Sequence, residues 1–341
     1  MNILFIKLSA IGDVVQTLPA LEAIKKTYPD SDITWVVEES AASILDSHPL
    51  ISRLLISRRK AWTRMLKNPF SFFQGLGNII RFFRELRDTH YDIAIDFQGL
   101  LKSGILIGLA RARRKIGFDR TRELSYLFLN ERLPAYDIDR HALDRYLDVA
   151  SYLGAKDPSP ACTLPIEREI SLITQKIRGV NPEGRPIVAI NPVARWKSKL
   201  WSERKFAELA DRLISERNAV VVFTGGPDDR AADARIISMM KQFAVNWAGE
   251  TTLKELAALA SRCAVFITTD TGPMHLAAAA GGRVVALFGP TAPWRTGPYG
   301  PFHAVVRAGL SCSPCFKRNC DDDMRCMEEI TVDDVMRKIE L

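Results

Sequence analysis

No apolar run in these 341 residues is long enough to cross a bilayer, which takes about 20 residues, so no membrane-spanning helix is expected. The opening residues are not expected to act as a secretory leader. In MNILFIKLSAIGDVV, Lys7 interrupts the short apolar run and Gly12-Asp13 follows, so the expected compartment is the cytoplasm, with the six Cys reduced. No solenoid period recurs and no low-complexity segment is present. GxGxxG is absent after the first strand, which argues against a nicotinamide-dinucleotide site. What is there is 47% hydrophobic and 26% charged, enough core for two ordinary domains. The net charge of +7 fits an anionic partner: nucleic acid, an acidic lipid surface or a phosphorylated substrate.

The most informative stretch is CAVFITTDTGPMHLAAAAGGRVVALFGPT, Cys263 to Thr291. Ala264–Thr268 reads as a buried strand, Thr269–Pro273 as a tight polar loop, Met274–Ala280 as an Ala-rich helix and Arg283–Phe288 as the next strand. Pro273 suits the first helical turn, where its missing N–H costs nothing. The unpaired N–H groups and the positive end of that helix would seat a phosphate, with Asp270 and His275 on either side. The plainer alternative is a βαβ turn with Asp270 or Thr271 as a cap.

In the first half, Asn2–Leu8 reads as a strand and Val14–Thr27 as an amphipathic helix. Asp13 then lies at the carboxyl end of a parallel strand, where substrates bind; it either faces one or caps the helix. Tyr91–Phe97 is another buried strand, ending in QGLLKSG. Lys102 there is a candidate for an acceptor phosphate or carboxylate, or a plain surface lysine. Residues 58–87 interleave Arg58, Arg59, Lys60, Arg64, Lys67, Arg81, Arg84 and Arg87 with Trp62 and five Phe, against Glu85 alone. That composition suits an anionic lipid surface or a single-stranded nucleic acid, or a solvated helix with aromatics turned inward. The lipid surface is the favoured reading.

Three strings together resemble glycosyltransferase family 9, the bacterial heptosyltransferases: KLSAIGDVVQTLPAL, DFQGLLKSG, and DTGPMHLAAAAG followed by FGPT. The resemblance implies the GT-B arrangement, an α/β fold of two doubly wound Rossmann-like domains facing a cleft. Domains are expected at 1–165 for the acceptor and 187–330 for the nucleotide sugar. A linker region is expected at 166–186, and a closing helix at 331–341 that packs back on the first domain. The implied reaction is inverting transfer of heptose from ADP-L-glycero-D-manno-heptose to Kdo on lipid A, at the inner face of the cytoplasmic membrane, with no nucleic-acid partner. Asp13 would be the base that takes the acceptor proton. The donor would be held by Lys199 (Lys197 its rival), Asp270, Thr271, Gly272 and His275, with Asp228 on the ribose. Lys102, Arg122 and Glu123 would meet the acceptor. No metal is then required, because Lys199 and the helix dipole neutralise the leaving diphosphate.

The Arg122-Glu123 pair resembles the heptosyltransferase I branch. CSPCFKRNCDDDMRC resembles heptosyltransferase II, which adds the next heptose. Cys312, Cys315, Cys320 and Cys326 in that string allow a structural zinc site or a packed set of thiols. Asp321-Asp322-Asp323 reads as a solvated acidic turn. A different class of function, a non-catalytic nucleotide or nucleic-acid binder, would use residues 58–87 and have no need of Asp13.

Overall fold

The computed structural model describes residues 1–320 and 323–341; Asp321 and Asp322, and the Arg122 side chain, lie outside the described residues. The chain divides into two units, Met1–Pro165 and Ile166–Leu341. Unit 1 holds β1 (Asn2–Ile6), β2 (Asp32–Glu38), β3 (Arg53–Ser57), β4 (Tyr91–Asp96), β5 (Ala112–Phe118) and β6 (Glu131–Leu133). They form one parallel sheet in the order β3-β2-β1-β4-β5-β6. Unit 2 holds β7 (Ile187–Asn191), β8 (Val220–Phe223), β9 (Val245–Asn246), β10 (Val265–Thr269), β11 (Val284–Leu287) and β12 (Ala304–Val306). Its parallel order is β12-β11-β10-β7-β8-β9. Numbered within each unit, the two orders are the same.

The central strands are unbroken apolar runs because helices cover both faces of each sheet. Ile3, Leu4, Phe5 and Ile6 of β1 are all fully buried, as are Val265, Phe266 and Ile267 of β10. In unit 1, Leu4 and Ile6 pack with Val36, Phe82 and Leu86. In unit 2, Val188, Ile190, Val221 and Phe223 pack with Trp201, Phe206 and Met327. Two glycines end the Ala-rich helix Gly272–Ala279. Gly281 takes a left-handed φ of 79°, and a Cβ on Gly282 would stand 2.4 Å from the Ala260 carbonyl. The small side chains of this helix therefore let it lie close against its neighbours.

Two expectations about the ends of unit 2 need correction. The stretch 166–186 does not stand apart as a linker. Its helix Glu167–Val180 buries Ile173 and packs on the helix Leu253–Arg262 inside unit 2. The closing helix, Val332–Met336, is also part of unit 2. Val332, Val335 and Met336 join the unit 2 core, and Arg212 Nη1 holds Asp333 Oδ1 at 2.6 Å.

Candidate active site

In a doubly wound sheet, a crevice opens at the carboxyl edge where the order in which parallel strands are added reverses. In unit 1 that point lies between β1 and β4; in unit 2 it lies between β7 and β10. The loops after these four strands carry most of the site residues read from the sequence.

After β1 the helix Ile11–Thr27 begins, with Asp13 in its first turn. Asp13 Oδ2 accepts the Ala10 N–H at 2.9 Å, so the carboxylate does cap the helix. Its Oδ1 accepts the Tyr146 hydroxyl at 3.3 Å and stands 3.7 Å from Lys7 Nζ. Lys7 is 3% exposed, whereas Asp13 is 40% exposed. The capping and substrate-facing readings are therefore compatible: the carboxylate is fixed from inside and open to the outside. Lys7 Nζ donates to Tyr146 Oη at 2.7 Å and to the Phe97 carbonyl at 3.1 Å. Burial lowers the Lys7 pKa, while Asp13 and Asp96 oppose that shift. Burial likewise pushes the Tyr146 hydroxyl well above its ordinary value, with the Asp13 charge adding to the effect, so it stays a proton donor at neutral pH.

The loop after β4 is built around buried Asp96, which accepts the N–H groups of Gln98 (2.9 Å) and Gly99 (3.0 Å) and the Ser103 hydroxyl (3.0 Å). Burial raises the Asp96 pKa, and those hydrogen bonds oppose it. Gln98 Oε1 accepts the N–H groups of Leu8 and Ser9, at 3.1 and 3.0 Å, tying the β4 loop to the β1 loop. Lys102 comes to the same place. Its Nζ donates to Glu38 Oε1 at 2.8 Å and to Ser9 Oγ at 3.1 Å. Glu123, at a φ of 58°, turns its carboxylate back to the Leu101 N–H at 3.1 Å, at the start of the Lys102 helix. The structure thus gives Lys102 and Glu123 partners within unit 1, and the Arg122 side chain lies outside the described residues.

In unit 2, Lys199 from the loop after β7 meets Asp270 from the loop after β10, Nζ to Oδ2 at 2.6 Å. Lys199 also reaches the Asp270 carbonyl at 3.2 Å, and the Thr291 hydroxyl donates to the same Oδ2 at 2.7 Å. Asp270 Oδ1 makes no bond among the described residues and remains an acceptor for a ligand hydroxyl. Thr271 is the N-cap and Gly272 the first residue of the following helix, and both are partly exposed. His275 lies one turn on, half-buried. Asp228 stands exposed beyond β8, in the short helix Pro227–Asp229. Lys197, the rival of Lys199, is exposed beside Trp196. This crevice combines a helix start, a lysine and a hydroxyl-accepting carboxylate, which together match a diphosphate linked to a sugar.

Three residues escaped the sequence reading as site components: Lys7, Tyr146 and Thr291. The available signal for Lys7 was a lysine inside an otherwise apolar strand, since a buried ammonium demands partners. A fourth is Asp233 in the helix Arg230–Ser238, behind the Asp228 loop. It is fully buried, and both carboxylate oxygens are without a partner among the described residues. Burial, with the Asp229 charge second, pushes its pKa up to about 8. Cys312 and Cys315 are exposed and Cys326 is buried. Among the described residues, no three His, Cys, Asp or Glu side chains are gathered closely enough to hold a metal ion.

Two six-stranded parallel units, one with a fixed carboxylate and one with a lysine–carboxylate pair beside a helix start, each at its switch point, have the architecture of a GT-B glycosyltransferase. The chain belongs to glycosyltransferase family 9 (heptosyltransferase), whose family profile matches residues 79–324. It is 30% identical over 323 residues to lipopolysaccharide heptosyltransferase 1 of Pseudomonas aeruginosa, covering 94% of this chain and 87% of that one. It is 26% identical over 326 residues to lipooligosaccharide heptosyltransferase 2 of Haemophilus influenzae, covering 90% and 88%. Its fold matches E. coli heptosyltransferase WaaC solved with ADP at a TM-score of 0.78 and 24% identity, over 99% of this chain and 98% of that one.

Proposed function

We propose that this enzyme transfers L-glycero-D-manno-heptose from ADP-heptose to a Kdo residue on lipid A, with inversion at the anomeric carbon, at the cytoplasmic face of the inner membrane. The observation that carries the reading is Asp13: a carboxylate held on its inner side by Ala10 and Tyr146, yet 40% exposed at the unit 1 switch point. The acceptor oxygen forms the new bond to the anomeric carbon and gives its proton to Asp13. The bond from that carbon to the diphosphate breaks, and ADP leaves with the electron pair. The N–H groups at Thr271-Gly272 and the Lys199 ammonium meet the developing charge. Asp270 Oδ1 accepts a sugar hydroxyl. No step calls for a metal.

The named relatives support a heptose donor and a lipopolysaccharide core acceptor. The Arg122-Glu123 resemblance favours Kdo over the first heptose. The test is transfer from ADP-heptose to Kdo-lipid A and, separately, to heptosyl-Kdo-lipid A. Product on the first acceptor is expected; product on the second alone would make this a heptosyltransferase II. Asp13→Asn is expected to cut turnover about 10²–10⁴-fold while leaving donor affinity, read by calorimetry, in place. Retained turnover in that variant would remove Asp13 from the mechanism.

A further inference from the structure

Residues 58–87 carry eight cations and one carboxylate, a surplus of seven. The whole chain has a net charge of +7, so the remaining residues taken together sum to zero and this one segment carries a charge equal to that of the whole chain. It folds as two helices, Arg59–Leu66 and Phe72–Arg87. Their inner side is anchored: Phe82 and Leu86 enter the unit 1 core, Trp62 packs on Phe82 with ring centroids 5.2 Å apart, and Ser71 Oγ closes the turn on the Met65 carbonyl at 3.0 Å.

The outer side is unusual for a soluble enzyme. Phe70, at the tip of the turn, is 101% exposed and Phe73 is 82% exposed. Phe72, Leu76 and Ile80 continue the apolar stripe along the second helix. The Phe70 N–H donates to Asn68 Oδ1 at 3.1 Å, an Asx-type turn at the base of the tip. All eight cations are exposed. Arg58 and Arg59 lie near Glu39 and Glu38, and no ion pair engages the other six among the described residues.

We propose that this helical hairpin is an interfacial anchor for an anionic bilayer, with Phe70 and Phe73 entering the acyl boundary and Arg64, Lys67, Arg81 and Arg84 meeting the headgroups. Apolar tip and cationic flanks are the two signals that hold a protein at a bilayer without spanning it; each cation near an anionic surface strengthens partition by roughly fivefold. Among the described residues no helix is long and apolar enough to cross the membrane, so the contact is confined to the surface layer. The proposal deepens the reading above, because a lipid A acceptor would lie in the same surface.

The experiment is co-sedimentation of the full chain with vesicles of phosphatidylcholine alone and of phosphatidylcholine with phosphatidylglycerol. Binding to the mixed vesicles is expected, at least about tenfold above the neutral ones, with release in about 0.5 M salt. Phe70→Ser with Phe73→Ser is expected to weaken it about tenfold or more at an unchanged melting temperature. Lys67→Glu with Arg81→Glu should weaken it further and abolish the preference for anionic lipid. Equal binding to both vesicles, or a Phe variant that binds like the parent, overturns the anchor. So does salt-sensitive binding to single-stranded RNA with none to vesicles. Turnover on a deacylated, water-soluble acceptor should be the same in the Phe variant and the parent, and only turnover on vesicle-borne acceptor should fall. Absence of turnover on every acceptor beside intact vesicle binding would remove the heptosyl reading and leave the anchor standing.

Discussion

Asp233 offers a sharp stability test, because a buried carboxyl with no partner has a calculable cost. Its pKa is pushed from 3.8 to about 8 in the folded chain. Below pH 4 the group is protonated both folded and unfolded and contributes no pH dependence. As pH rises, the unfolded chain releases the proton first and the folded chain holds it, so stability falls until the folded group also ionises near pH 8. Each unit of the window is worth about 1.36 kcal/mol, for a ceiling of roughly 5–6 kcal/mol. Asp233→Asn keeps the shape and removes the titration, leaving an amide that also lacks partners. The gap between variant and parent is expected to widen, in favour of the variant, by roughly 3–5 kcal/mol between pH 4.5 and pH 8.5, then level off. In a unit of this size that is on the order of 10 °C in the melting temperature. The assay is urea unfolding followed by circular dichroism at four or five pH values. Parallel curves for the two proteins would refute the reasoning and mean that the Asp233 carboxyl is solvated or paired. Because its helix follows the Asp228 loop, the parent should also lose donor affinity above pH 8 more steeply than the variant.

Two further outcomes follow from the site geometry. Tyr146→Phe removes one donor from Asp13 and one acceptor from buried Lys7. Steady-state kinetics should show kcat lower by about 10–100-fold with donor affinity unchanged, and chemical unfolding should show a loss of about 1.5–3 kcal/mol; an unchanged kcat would make Tyr146 merely structural. Lys199→Met and Asp270→Asn should each weaken donor binding and cost about 3–5 kcal/mol of stability, while the double variant, which leaves no buried ion behind, should cost less than their sum. Strict additivity would mean that the two side chains do not act as a pair.

The strands were legible because their chemistry is local. A strand covered on both faces must be apolar throughout, and β1, β4, β10 and β11 fall within two residues of the runs that announce them. The position of Asp13 at a sheet edge follows from the same reading. Partnerships did not follow. Lys7 and Tyr146 lie 139 residues apart, and Lys199 and Asp270 lie 71 apart, so only the tertiary fold brings them together. The left-handed turn at Glu123, which points its carboxylate at Leu101, has no counterpart in composition or spacing. The helix Glu167–Val180 falls in the stretch expected as a linker, and its place in unit 2 depends on Ile173 being buried there.

The shared strand order of the two units bears on how such enzymes diversify. The same strand order is used twice, and on the proposed reading one copy fixes a base and the other seats a diphosphate through the loops at its carboxyl edge. If the proposed division of labour holds, substitutions that retune acceptor choice in unit 1 need not disturb nucleotide recognition in unit 2. A lineage could conserve its sugar donor while exploring successive positions on a growing saccharide, and chimeras joined between residues 165 and 166 would separate the two preferences as independent, heritable traits.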